Sequence, residues 1–103
     1  MFNSDQGKDD ILIRAGSDGN ERAIKLLLEE PTLDVNQIDD YGCTALFKAA
    51  EKGRLKVVQL LLDHPGILVN KAVDKYNHGY TPLHTAANEG HGNVVEILLN
   101  HPS

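Results

Sequence analysis

Residues 42–53, Gly-Cys-Thr-Ala-Leu-Phe-Lys-Ala-Ala-Glu-Lys-Gly, recur 37 positions later as Gly-Tyr-Thr-Pro-Leu-His-Thr-Ala-Ala-Asn-Glu-Gly. The register runs on without a gap: Val57-Val58 falls on Val94-Val95, Leu61-Leu62 on Leu98-Leu99, and His64-Pro65 on His101-Pro102. At an offset of 34 a further copy begins the chain and places Leu12, Ala15, Gly19, Ile24, Pro31 and Asn36 on Leu46, Ala49, Gly53, Val58, Pro65 and Asn70. A unit this short cannot bury an apolar stripe by itself. Stacked side by side, three such units share one continuous core, so the repeat dictates a solenoid.

Each copy reads as two short antiparallel helices followed by an extended loop. Thr44 and Thr81 stand where an N-cap hydroxyl is wanted, and Pro82 falls in the first helical turn, where its missing N–H costs nothing. Leu46, Ala49 and Ala50 recur at helical spacing, and paired alanines mean that neighbouring helices approach closely. Gly53 and Gly90 are expected to end the first helix in a left-handed conformation. Val57, Val58, Leu61 and Leu62 line a second helix that stops before Pro65, as Pro31 and Pro102 stop the others. The spacing predicts helices near 8–17, 20–30, 45–52, 54–63, 82–89 and 91–100, with extended fingers near 35–43 and 69–80.

The run Gly79-x-Thr81-Pro82-Leu83-His84-x-Ala86-Ala87-x-x-Gly90-His91, followed by Val94-Val95-x-x-Leu98-Leu99, resembles the ankyrin-repeat signature. The second copy is similar, with Ala45 for the proline and Phe47 for the histidine, and the first resembles an N-terminal capping repeat. The resemblance implies an all-α ankyrin-repeat solenoid with β-turn or hairpin fingers, spanning residues 8–103 in copies of about 8–36, 37–70 and 71–103 after a 1–7 tail. Periods of 34 and 37 exceed the family's usual 33 and put extra residues in the loops. It also implies that His84 hydrogen-bonds neighbouring backbone and Thr81.

Composition narrows the chemistry. Ten basic against fifteen acidic side chains give a net charge of −5, which disfavours a general nucleic-acid binder. The acidity is concentrated in residues 1–40, with four basic and ten acidic side chains. A lone Cys43 permits neither an intrachain disulfide nor a cysteine zinc site, and apolar runs of three or four residues fall far short of a membrane span. A cytoplasmic or otherwise reducing compartment fits, as does an effector delivered into one. No His-Glu-x-x-His pair, Gly-x-Ser-x-Gly elbow or phosphate-binding loop is present, so no metal, cofactor or enzymatic activity is expected. Cys43 carries no feature that marks it as a thiolate. His91 is expected to pack or cap at the start of its helix, and His64 and His101 to favour the negative ends of theirs.

Function then lies on a surface. The resemblance implies that another protein binds a concave groove formed by the finger tips and first helices. That groove maps onto Asp40, Tyr41, Cys43, Glu51 and Lys52 in the second copy and Asn77, His78, Tyr80, Asn88 and Glu89 in the third. Lys48 and Thr85 flank it, and Ser17 and Asp18 continue the row. All three tyrosines, Tyr41, Tyr76 and Tyr80, fall in the fingers, either as contacts or packed over their own loops. The Lys71–Lys75 finger also admits a nucleic-acid or lipid-headgroup reading, and the alternative to a non-catalytic binding module is the targeting or recognition fragment of a larger enzyme or secreted effector whose activity lies beyond residue 103. The Asp34-Val35-Asn36 context resembles that of ankyrin asparagines that are hydroxylated; the plainer role for Asn36 and Asn70 is to hydrogen-bond the loop backbone. Finally, Asp18, Glu21, Arg22 and Lys25 give the first copy a polar outer face, whereas Val94, Val95, Ile97, Leu98 and Leu99 keep an internal pattern. An exposed apolar edge and self-association are therefore expected at the third copy, or further repeats beyond it.

Overall fold

A computed structural model describes residues 4–73 and 79–102. Six helices follow in order: α1 (Ser4–Asp18), α2 (Glu21–Leu28), α3 (Ala45–Glu51), α4 (Leu55–Leu62), α5 (Pro82–Asn88) and α6 (Gly92–Asn100). They pair as α1/α2, α3/α4 and α5/α6; α1, α3 and α5 pack in one row and α2, α4 and α6 in a second. The stacked all-α solenoid is thus present, and among the described residues the extended pairing is one isolated antiparallel bridge, Val73 to Tyr80, at the base of the second finger. The helix α1 begins at Ser4, ahead of the expected residue 8. The second helices stop slightly short of their prolines: α2 ends at Leu28, where the Glu29 and Glu30 N–H groups tighten onto Leu26 and Leu27. A residue that precedes proline is driven out of helical backbone, so the turn closes before it.

The caps behave as their chemistry requires. Thr44 Oγ1 accepts from the Phe47 N–H at 3.1 Å. Thr81 Oγ1 accepts from the His84 N–H at 3.3 Å while His84 Nδ1 accepts from the Thr81 N–H at 3.1 Å, a reciprocal capping box with Pro82 just inside the helix. Gly53 sits at φ +71°, and the Arg54 N–H turns back to the Ala49 carbonyl at 2.9 Å.

Small residues set the spacing of the inner row. A Cβ on Gly16 would stand 3.1 Å from the Ala45 carbonyl oxygen, so α1 and α3 meet nearly backbone to backbone. The core runs unbroken through the copies, from Leu12 and Ile24 through Leu46, Ala49, Val58 and Leu61 to Val94. A second, smaller cluster of Cys43, Phe47 and Val73 seals α3 beneath the second finger.

The copies are also joined by polar side chains that reach backwards. Arg54 Nε donates to the Ser17 carbonyl at 3.0 Å, and His91 Nε2 donates to the Glu51 carbonyl at 3.0 Å. His91 therefore holds the copy before it; its side chain caps nothing in its own helix. His101 likewise donates to the Leu62 carbonyl at 3.2 Å, so it serves the C-terminus of α4 and not that of α6, as its position had suggested. His64 does neither: its Nδ1 accepts from the Gly66 N–H at 3.0 Å and closes a local turn. Asn36 clamps the loops of two copies, donating to the Gly66 carbonyl at 2.7 Å and accepting from the Leu68 N–H at 2.8 Å. Replacing His91 with alanine is expected to lower stability by about 1 kcal/mol in chemical denaturation, the usual net worth of one such bond.

Candidate partner-binding groove

The first finger is a tight turn built by one carboxylate. Asp39 Oδ1 accepts from the N–H groups of both Tyr41 and Cys43 at 2.9 Å, while the Asp39 N–H donates to the Cys43 carbonyl and the Gly42 N–H to the Asp39 carbonyl, each at 3.0 Å. Asp39 is thereby spent on structure, and Asp40 and Tyr41 are left at the tip, with Tyr41 62% exposed. Between this tip and α1 lies a cleft of about 320 Å³. Ile13, Arg14, Ser17 and Asp18 wall it on one side and Asp40, Tyr41 and Lys48 on the other.

Charge inside the cleft is partly neutralised. Lys48 Nζ donates to Glu51 at 2.9 Å, one turn along α3. Burial works against the ammonium, but the Glu51 hydrogen bond and charge outweigh it and lift the Lys48 pKa above its usual 10.5. With Lys48 committed to Glu51, the cleft lining carries both signs of charge, Arg14 beside Asp18, Asp39 and Asp40.

Several expected contacts take these positions. Lys52, Asn88 and Glu89 are exposed, and Asn88 Nδ2 donates to Glu89 at 3.3 Å. Tyr80 is 38% exposed, and its ring tilts against His84 with centroids 5.5 Å apart. Asn77, His78 and Tyr76 lie outside the described residues. Two expected contacts are buried instead. Cys43 is 3% exposed because its side chain turns under the second finger onto Phe47 and Val73. Thr85 is 5% exposed: at the same register Lys48 has a long stem that carries its charge outward, and threonine has none. Arg14 went unnoticed in the sequence although it occupies the register of Lys48 and Thr85; carrying the flanking position back one copy would have found it.

Burial, reinforced by the nearby Asp39 carboxylate, pushes the Cys43 thiol up to about 11, so it stays protonated at neutral pH. Among the described residues no three His, Cys, Asp or Glu side chains gather to hold a metal ion, and no helix is long and apolar enough to cross a membrane.

A family model described as ankyrin repeats (3 copies) matches residues 2–72, and another described as ankyrin repeats (many copies) matches residues 46–99. No curated protein matches the chain.

Proposed function

Because the chain belongs to the ankyrin-repeat family, whose members are generally protein–protein interaction modules, we propose that it is a non-catalytic module that binds another protein along its fingers and first helices. The observation that supports this reading is the first finger. Its turn is held by four short hydrogen bonds, so Tyr41 is presented to solvent at the rim of a cleft without loss of backbone entropy on binding. Tyrosine at such a rim supplies contact area and a polar tip together. Ankyrin repeats are typically non-enzymatic, and the protonated, enclosed Cys43 offers no nucleophile to set against that.

Affinity capture tests the reading. The intact chain should retain a protein that a Tyr41→Ala, Tyr80→Ala variant binds at least about tenfold more weakly, the loss expected when interface tyrosines are truncated. Lys56→Ala, an exposed change on α4, should leave capture unaltered. Equal retention by both variants, or loss with Lys56→Ala, would place the binding surface elsewhere.

A further inference from the structure

Between α4 and α6, in the second row of helices, lies a cleft of about 300 Å³. Leu62, Ile97 and Pro102 give it apolar walls, and Asp63 is the only formal charge in its lining. Among the described residues the Asp63 carboxylate has neither an ion pair nor a hydrogen bond. His101 lines the same cleft. Its Nε2 donates to the Leu62 carbonyl, which leaves Nδ1 with a lone pair, and that atom is buried without a partner. The same atom of His64, one copy earlier, takes the Gly66 N–H at 3.0 Å. Both helices also end here, α4 at Leu62 and α6 at Asn100, and helix C-termini carry partial negative charge. No lysine or arginine is among the described residues that line the cleft. The first copy has the exposed Lys25 at the register where the second has Gln59, on the wall of this cleft.

We propose that this cleft is a docking site that takes an arginine side chain presented by a segment of another protein. Its features all ask for the same occupant. An unpaired carboxylate, an orphaned acceptor and two helix C-termini call for a cation that donates hydrogen bonds, and the apolar walls call for an aliphatic stem. Arginine joins the two: its planar fork of N–H donors can bond the Asp63 carboxylate in bidentate fashion and still leave a donor for His101 Nδ1. Lysine offers a compact and more strongly hydrated ammonium, so it fits less well. An apolar side chain would leave both acceptors without a donor, and an anion would meet charge of its own sign. The cleft shares no residue with the one beneath Tyr41, so it stands whether or not a partner uses the concave groove.

Titration of the isotope-labelled full chain with a blocked Gly-Arg-Gly tripeptide, followed by amide chemical shifts, tests this. Saturable shifts are expected at Gln59, Asp63, Asn100 and His101, with a Kd of about 1–10 mM, the range for a single side chain as ligand. Added salt should weaken the binding. The lysine tripeptide should bind less tightly, and the neutral citrulline tripeptide should give no saturable shifts. Asp63→Asn should weaken binding at least about tenfold, the loss of a charge-assisted pair, and Gln59→Lys should do the same by bringing the cation that Lys25 brings to the first copy. Asp63 is exposed, so circular dichroism and melting of Asp63→Asn should match the parent chain. The Tyr41→Ala, Tyr80→Ala variant should bind the tripeptide unchanged, which separates this site from the groove. Absence of saturable shifts, an equal response to the lysine or citrulline tripeptide, shifts centred on the groove, or unchanged binding by the Asp63 or Gln59 variant would each overturn the proposal.

Discussion

Replacing Phe47 with alanine is expected to lower the free energy of unfolding by about 3–5 kcal/mol, the usual range for emptying a buried aromatic site. The ring is 1% exposed, the largest fully buried side chain among the described residues. It stands at the register where the third copy has His84. There the imidazole accepts from the Thr81 N–H, whereas Phe47 has no polar atom to do so and fills space beneath the second finger against Cys43 and Val73. Its helix, α3, packs against both α1 and α5, so the void opens in the middle of the stack. A domain of this size has a total stability on the order of 5–15 kcal/mol, so much of the folded population would be lost on mild heating. Phe47→Leu, which keeps most of the volume, should cost clearly less. Denaturant midpoints measure both, and a loss under about 1 kcal/mol for Phe47→Ala would show that the finger collapses into the gap.

The second large effect is on alkaline stability. The Cys43 thiol ionises near 9.0 when unconstrained and at about 11 in the folded chain, where burial first and the Asp39 carboxylate second oppose the thiolate. Below 9 both states keep the proton and the thiol contributes no pH dependence. Between 9 and 11 the unfolded chain releases it while the folded chain does not, so stability falls as pH rises. At roughly 1.4 kcal/mol per pH unit of displacement, the loss is on the order of 2–3 kcal/mol by the top of that window. Lys48 acts in the same direction: its pKa is raised in the folded chain, so above 10.5 the unfolded chain gives up the ammonium proton first and the stabilisation from the Glu51 pairing is progressively lost. Comparison with Cys43→Ala isolates the thiol: its stability curve should be flatter by that amount, and parallel curves would contradict the assignment. In the folded chain at neutral pH, Cys43 should also resist thiol reagents and react only on unfolding.

The helical parts of this architecture were readable because each rests on a local rule. Thr44 and Thr81 mark helix starts through their own hydroxyls, and Pro31, Pro65 and Pro102 forbid continuation whatever surrounds them. The candidate groove was readable only in part. Register placed Tyr41 and Asp40 at a finger tip, but it gave Cys43, two residues along, the same standing although that side chain points inward. Asp39 and Asp40 are identical neighbours in the sequence, and one is consumed by two backbone N–H groups while the other borders the cleft.

The repeat by itself determined that three helix pairs stack, where the first helices of the second and third copies are capped, and that alanine and glycine bring the inner helices close, because periodicity and capping act within a few residues of their cause. Only the tertiary structure decided that Arg54, His91 and His101 serve the copy before their own, that Cys43 and Thr85 are enclosed, and that Gly90 and Leu99 lie open. Those outcomes depend on which surface a neighbouring copy covers, a matter of distances between residues roughly 37 positions apart that no local pattern encodes.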